Sequence, residues 1–264
     1  FVSDEYGPYL YEFSLASGKR LRSIPVPNKY LIDYPSATPI TELTGNVAGR
    51  QSNRGMEGLA ISPDGSKLYG IMQSPLIQDG ALDPNNIRIG NNTRIVEIDV
   101  HSGAVREFLY KLDRGNNGIS EILAVNDHEL LVLERDGRAG SSAVVKKIFK
   151  IDIAAATDIR NVKQLTTDGV VAVTKELFID LLNPAFGLAG ATFPEKIEAL
   201  AFGPDLADGR HVLLVVNDND FVATQATRIF AFAIDHADLP GFQAQEIGRR
   251  YNSECHRDDG QHDD

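Results

Sequence analysis

The sequence predicts an all-β protein, a β-propeller built from four-stranded antiparallel blades. A phrase of glutamate, any residue, leucine and alanine begins at Glu57, Glu121 and Glu198. Each copy is followed by a turn and then by further short apolar strands. Units of about 45–75 residues with four short strands are typical of a propeller, whose blades are four-stranded sheets around an axis.

The first 27 residues predict an incomplete blade. Residues 1–7 are typical of the end of a strand, and alternating apolar residues in 8–15 and 20–26 predict a hairpin around the turn at 16–19. Because the sequence opens in the middle of a strand pattern, we expect the N-terminal part of the propeller to be missing. Four blades are then visible, the first incomplete, and we expect about five or six in the intact protein.

Three full repeats follow, each with a copy of the glutamate phrase. Turns such as Ser62-Pro63-Asp64-Gly65 separate the strands, because proline and glycine fit the backbone angles of tight turns. The predicted strands are 57–61, 67–72, 93–100 and 105–112; 121–125, 129–133, 147–153 and 162–165; and 198–202, 211–216, 227–234 and 243–248. A helix-like segment is predicted at 174–182. The propeller domain is 1–248, and we expect the polar, acidic tail 249–264 to be disordered.

The charge balance restricts the partners. The 264 residues include 26 basic and 37 acidic side chains, and the net charge of −11 argues against nucleic acid and anionic membranes. No apolar run is long enough to insert into a membrane, and the single cysteine, Cys255, cannot form an intrachain disulfide. We expect a small-molecule partner, and the sequence leaves the oligomeric state open.

Propeller topology brings polar residues of distant repeats to one face. The first strand of a blade lies nearest the axis and successive strands alternate in direction, so starts of strands one and three share a face with ends of strand two. Glu57, Glu121 and Glu198 begin the first strands. Second strands end at Asp4, Glu5, Gln73, Glu134, Arg135, Asn217 and Asp218, and third strands begin at Arg94, Lys147 and Arg228. The long connections 28–55, 76–92 and 166–196 fall on the same face, where binding sites usually lie.

The acids and amides of this face predict a calcium site, because carboxylate and amide oxygens are the ligands that a hard cation prefers. The predicted ligands are Asp4, Glu5, Glu57, Glu121, Glu198, Asn217 and Asp218. The basic residues predict a site for an anionic group such as phosphate, with the contacts Arg94, Arg135, Lys147 and Arg228. The candidates for catalysis are Glu57, Glu121, Glu134 and Glu198. The alternative is structural, each glutamate forming hydrogen bonds to the backbone of a neighbouring blade.

Several phrases resemble the phytase-like family, which is described by an esterase-like activity of phytase. They are Val2-Ser3-Asp4-Glu5-Tyr6-Gly7-Pro8, Glu57-Gly58-Leu59-Ala60-Ile61-Ser62-Pro63-Asp64-Gly65, Gln73-Ser74-Pro75-Leu76, Leu133-Glu134-Arg135-Asp136-Gly137-Arg138, Glu198-Ala199-Leu200-Ala201-Phe202-Gly203-Pro204 and Asn217-Asp218-Asn219-Asp220-Phe221. They occur in the family's order, and the resemblance covers nearly the whole chain outside the tail. The resemblance implies a β-propeller, commonly periplasmic or secreted in bacteria, that hydrolyses phosphate esters.

Three functions are open at this point. The first is a calcium-dependent phosphomonoester hydrolase at the axial funnel, in which calcium activates water and a carboxylate acts as the base. The second is a propeller that binds a ligand or partner without catalysis, its ion being structural. The third is a calcium-dependent hydrolase of carboxylesters or lactones.

Overall fold

The computed structural model describes residues 1–166 and 168–245. Within these ranges the protein has fourteen strands in four antiparallel sheets. In each sheet, the strands lie side by side in the order in which they occur in the chain. The predicted all-β class is therefore confirmed. The predicted tail, 249–264, lies outside the described residues.

Sheets 1 and 2 come from the N-terminal half of the chain. Sheet 1 contains β1 (Val2–Ser3), β2 (Leu10–Phe13) and β3 (Arg20–Ile24), and sheet 2 contains β4 (Met56–Ile61), β5 (Lys67–Met72), β6 (Asn92–Asp99) and β7 (Val105–Lys111). The connection from β3 to β4 contains a 3-10 turn at Asn28–Tyr30 and helix α1 (Pro39–Gly45). A second 3-10 turn, Ile77–Asp79, follows β5.

Sheets 3 and 4 complete the described fold. Sheet 3 contains β8 (Gly118–Ala124), β9 (Glu129–Arg135), β10 (Lys146–Asp152) and β11 (Thr174–Asp180), and sheet 4 contains β12 (Ile197–Gly203), β13 (His211–Asn217) and β14 (Ile229–Ile234). Short 3-10 turns at Gly140–Ser142 and Pro184–Phe186 lie in the loops.

The prediction of a helix-like segment at 174–182 was wrong, because residues Thr174–Asp180 are the outer strand of sheet 3. The pairing of β11 with β10 steps from Leu177 to Ile179 and skips Phe178. This shift breaks the alternation of apolar and polar side chains that is typical of a strand, and leaves three apolar residues in a row. The outer strand predicted at 162–165 is instead part of a loop. Residues 243–245 of the last predicted strand are not in a strand, and 246–248 lie outside the described residues.

The central strands are buried on both faces. In β9, Leu130 and Val132 join the core between sheets 2 and 3, whereas Leu131 and Leu133 join the core between sheets 3 and 4. Successive side chains of a strand point to opposite faces, so each inner sheet packs against a neighbour on either side. A third core cluster lies between sheets 1 and 2. In the described part of the chain, no helix is long and apolar enough to cross a membrane.

The sheets meet along β1, β4, β8 and β12, which pack side by side in that order. The strands β4, β8 and β12 are each the edge strand of their sheet. A Cβ atom at Gly58 in β4 would lie 2.9 Å from Ile122 N and 3.0 Å from Glu121 C in β8. The two backbones can therefore approach this closely only because residue 58 has no side chain.

We call the face on which β4, β8 and β12 begin the entry face. Because neighbouring strands are antiparallel, the connections 4–9, 25–55, 73–91 and 181–196 lie on this face. β10 ends and β11 begins on the opposite face. The predicted loop 166–196 is therefore divided by β11, and only its second part belongs to the entry face.

The substitution Gly58→Ala should lower the free energy of unfolding by about 1–3 kcal/mol, because its methyl group would push β4 away from β8. Gly45→Ala is the matched control, since a Cβ atom there comes no closer than 3.9 Å to Tyr34. Urea-induced unfolding of both variants measures the difference. Equal midpoints would show that close packing at Gly58 is not required.

Candidate functional site

Six charged side chains, three in inner or neighbouring strands and three in the connections beside them, meet at the entry face. Three of them are carboxyl groups and three are cations. We call them the entry cluster: Glu5, Arg54, Glu57, Arg135, Lys196 and Glu198.

β-Bulges place two of these carboxylates. The pairing of β4 with β5 steps over Glu57, and the pairing of β12 with β13 steps over Glu198. The bulge of β8 falls at Ser120 rather than at Glu121, so the second copy of the glutamate phrase is displaced by one position relative to the other two. Bulges re-aim side chains and are frequent beside active sites.

Gly55 and Gln73 fix the segment that enters β4. The backbone N–H of Gln73 donates to Gly55 O at 2.8 Å. The side-chain Nε2 of Gln73 donates to the Glu57 carboxyl group. A Cβ atom at Gly55 would lie 2.8 Å from the carbonyl carbon of Glu5. The backbone that carries Glu5 is thereby held directly beside the start of β4.

Glu57 is an acid whose pKa lies above neutrality. Burial raises it most, the charges of Glu5 and Glu198 raise it too, and Arg135 and Arg54 offset part of the effect, giving a pKa of about 8. Most Glu57 side chains are therefore protonated at neutral pH and can donate a proton.

Arg135 connects sheets 3 and 4 inside the cluster. Its Nε donates to Ser120 Oγ at 2.8 Å, and its Nη2 donates to Glu198. Burial nevertheless raises the pKa of Glu198 above its usual range, and Arg135 and Lys196 oppose that rise. Glu198 is consequently a stronger base than an exposed glutamate.

Arg54 and Lys196 are the other two cations. Arg54 donates from Nη1 to Ser74 Oγ at 3.0 Å, and burial lowers its pKa to about 10, so it stays charged at neutral pH. A hydrogen bond to Asp220 raises the pKa of Lys196. Guanidinium and ammonium groups at one mouth suit an anion.

Glu121 lies one residue deeper along the inner strands. Its carboxylate accepts from the Ile122 N–H at 3.0 Å. The backbone N–H groups of Leu59 in β4 and Leu200 in β12 also lower its pKa, whereas burial has the larger effect and raises it to about 7. Glu121 therefore joins the backbones of three sheets, as the structural alternative expected.

Asp4 and Asp218, predicted metal ligands, close local turns. Asp4 Oδ1 accepts from Tyr6 N at 2.8 Å and from Gly7 N at 3.1 Å. Asp218 Oδ1 accepts from Asp220 N at 2.9 Å. Both carboxylates stabilise loops of the entry face.

Asn217 and Arg228 organise the loop between β13 and β14. The Asn217 side chain accepts from Arg228 N at 2.6 Å and donates to Asp218 O and Ala226 O. The exposed Arg228 guanidinium donates to Thr192 O at 2.9 Å. These contacts occupy the amide and hold the arginine at the surface.

The predicted calcium ligands do not form one group. Among the residues that the structure describes, no three His, Cys, Asp or Glu side chains are grouped so that they could hold a metal ion. In the entry cluster, Glu198 pairs with Arg135 and Glu57 accepts from Gln73 Nε2, and the remaining predicted ligands bind nearby backbone groups. The described residues therefore do not fit the predicted calcium site.

Arg94, predicted to bind substrate, is fully buried and lies in an ion pair. Its Nε and Nη2 donate to the two oxygens of Asp79 at 2.7 and 3.0 Å, and Nη1 donates to Glu107 at 3.0 Å. Lys29 Nζ lies 2.9 Å from the other Glu107 oxygen. Arg94 Nη1 also donates to Val162 O at 3.1 Å, so the network joins sheet 2 to the loops before and after it, and the structure does not bring Arg94 to the entry cluster.

Glu134, a candidate for catalysis, is fully buried and accepts hydrogen bonds from four donors. They are Tyr110 Oη at 3.0 Å, Asp113 N at 2.8 Å, Asn117 Nδ2 at 2.6 Å and Lys175 Nζ at 2.7 Å. The carboxylate joins sheets 2 and 3. Lys147 likewise lies outside the cluster and pairs with Asp113 at 3.5 Å.

Sequence reasoning missed Arg54, Lys196 and Ser120. A signal for the two cations was present, because Arg54 stands three residues before Glu57 and Lys196 two residues before Glu198. Ser120 could not be found in this way, because the position of the bulge in β8 is not visible in the glutamate phrase.

The fold and the site together define a class of protein. It is an all-β protein whose sheets bring a set of partly buried charged groups to one face. The profile of the phytase-like family, described as esterase-like activity of phytase, matches residues 1–221. The chain belongs to this family, and the resemblance seen in the sequence is confirmed.

A curated relative from Arthroderma benhamiae, described as an uncharacterized secreted protein, is 30% identical over 293 aligned positions. The match covers 86% of this chain and 56% of the relative. The chain therefore spans about half the length of the curated relative that it matches.

The raised pKa of Glu57 predicts a pH dependence of stability. Because the folded protein binds this proton more tightly than the unfolded chain, the contribution of Glu57 is present below about pH 4.5 and is lost as pH rises through about 8. The stability of the wild type relative to Glu57→Gln should fall between about pH 5 and about pH 9. Chemical unfolding across this range measures it, with Glu12→Gln as a surface control. A difference independent of pH would contradict the prediction.

The buried Arg94 network predicts a large effect on stability. Arg94→Met should cost about 3–5 kcal/mol, because the carboxylates of Asp79 and Glu107 would stay buried without their partner. Arg22→Met, which breaks the more exposed pair with Glu12, should cost about 0–1 kcal/mol. Thermal unfolding of the two variants compares them, and similar costs would contradict the structural role of Arg94.

Proposed function

We propose that the protein is a β-propeller hydrolase that cleaves phosphate monoesters at the entry cluster. The observation that supports it most is the combination of three cations with a buried carboxylic acid of pKa about 8 at one mouth. Pairs of acids with differently perturbed pKa values are the usual means of acid–base catalysis at neutral pH. The family description, which names an esterase-like activity, supports the hydrolase class.

The wider setting is part of the same proposal. Inner strands that pack in chain order support a propeller, and the number of blades, about five or six, stays a prediction of the sequence. The relative's description as secreted supports a secreted or periplasmic protein.

Arg54, Arg135 and Lys196 would bind the phosphoryl oxygens. A guanidinium carries five N–H donors, and Arg135 uses Nε and Nη2 for Ser120 and Glu198, so further donors are available for substrate. The burial of Arg54 strengthens its attraction for an anion, because the local dielectric is lower than in water.

Glu198 and Glu57 would divide the proton transfers. Glu198 accepts a proton from a water molecule whose oxygen attacks phosphorus, and Glu57 donates its proton to the leaving alcohol oxygen as the P–O bond breaks. Inorganic phosphate and the alcohol are released, and the proton returns from Glu198 to Glu57 through solvent. The higher pKa of Glu57 suits the acid role.

Calcium stays a prediction of the sequence and takes part in no step above. It is tested by measuring phenyl phosphate hydrolysis with added calcium and with a chelator. Turnover that is lost on chelation and restored by calcium supports a calcium requirement. Turnover that persists in chelator supports catalysis by the described side chains.

A carboxylester or lactone hydrolase is the second candidate, favoured by the words esterase-like in the family description. The same acid and base could serve that reaction, but a neutral ester needs fewer cations in its ground state. A folded protein that hydrolyses neither kind of ester would support the third possibility, a binding protein without catalysis.

Arg135→Gln should lower kcat/KM for phosphate monoesters by about 100-fold, because it removes a charged donor to the developing negative charge. The loss should be smaller for a neutral carboxylester. Initial rates on phenyl phosphate and phenyl acetate measure both.

The matched control is Arg228→Gln, since this exposed arginine donates to Thr192 O outside the cluster. It should leave both rates unchanged. Equal losses in the two arginine variants would show that the cluster is not the anion site.

A further inference from the structure

A cavity of about 520 Å³ opens beside the entry cluster. It lies between the β1–β2 connection and the segment 31–50. Much of its wall is apolar or aromatic, with Tyr6, Pro8, Tyr9, Leu31 and Pro35 among the lining residues. Its volume is in the range of small-molecule sites, which are about 300–1,000 Å³.

The charged side chains of the cavity wall are paired, although the buried Nε of Arg50 has no hydrogen-bond partner among the described residues. Arg50 Nη1 lies 2.6 Å from Glu42 Oε1, and Ser36 N donates to the other Glu42 oxygen at 3.0 Å. Asp4 Oδ1 accepts two backbone N–H groups in its own turn. The cavity therefore offers apolar surface rather than free charge, which favours an uncharged ring as its ligand.

Tyr9 is held so that its ring faces this space. A Cβ atom at Gly7 would lie 2.8 Å from Tyr9 Cδ2, so the ring lies over a residue that has no side chain. Its centroid is 6.0 Å from that of Tyr11, a distance typical of packed aromatic pairs. Tyr9 is 49% exposed and Tyr6 is 64% exposed, so both rings have surface left for a ligand.

The cavity and the entry cluster are separated by a single residue step. Asp4 lines the cavity, and Glu5, the next residue, belongs to the cluster. On the other side, Arg50 lines the cavity and Arg54 of the cluster donates its backbone N–H to Gln51 O at 3.2 Å, so the cavity and the cluster border the same two segments of the chain.

We propose that the cavity binds the alcohol part of the ester and that the preferred substrates are phosphate monoesters of aromatic alcohols. This inference rests on the proposed function of the entry cluster. Tyr6 and Tyr9 are then specificity residues, and they contact the ring of the substrate rather than its phosphate.

The test compares phenyl phosphate with methyl phosphate on the purified protein. Tyr9→Ala should lower kcat/KM for phenyl phosphate by about tenfold, since one aromatic contact is lost, and should leave methyl phosphate unchanged. Tyr9→Phe keeps the ring and should retain the preference. Tyr34→Ala is the control, because Tyr34 is 68% exposed and is not part of the cavity wall.

Saturation-transfer NMR with phenol as the ligand tests whether the cavity binds an aromatic ring, independently of catalysis. The wild type and Tyr34→Ala should bind phenol about tenfold more tightly than Tyr9→Ala. This result with no ester turnover would support the cavity and reject the proposed function. Equal phenol binding by all three proteins, or equal loss of both substrates in Tyr9→Ala, would overturn the proposal.

Discussion

The close approach of β4 to β8 at Gly58 is the contact on which the rest of the structure depends. Edge strands leave backbone N–H groups without partners, and buried groups of this kind are costly. Glu121 meets that requirement, because the N–H groups of Leu59, Ile122 and Leu200 all act on its carboxylate. One side chain thus holds three edge strands together, and its position one residue below Glu57 and Glu198 fixes where those two carboxylates stand.

The electrostatics of the entry cluster follow from the same packing. The strands that approach at Gly58 also take Glu57 out of water, and its nearest charged neighbours include both acids and cations. Protonation relieves the burial of one carboxylate, while Arg135 balances the charge of Glu198 directly. The result is a site where an acid, a base and anion-binding groups coexist.

Sequence reasoning reached the fold class and the meeting of Glu5, Glu57 and Glu198, because strand direction and turn residues are written in local patterns. It failed where a side chain's partner or direction depends on the tertiary structure and not on the local sequence. Arg94 follows an entry-face loop as predicted, but Asp79, in that loop, folds back onto it. Glu121 repeats the phrase of the other two glutamates, yet a bulge shifted by one residue gives it a different role. The outer strand β11 looked helical because its bulge breaks the alternation that identifies strands.

The four hydrogen bonds that Glu134 accepts also fix the direction of Arg135, the next residue of β9. Because neighbours in a strand point to opposite faces, Glu134 is fixed towards sheet 2 while Arg135 reaches towards sheet 4. Lys175, on the outermost strand of sheet 3, is one of the donors that set this orientation. The outermost strand of the sheet therefore contributes, through Glu134, to the direction in which Arg135 points.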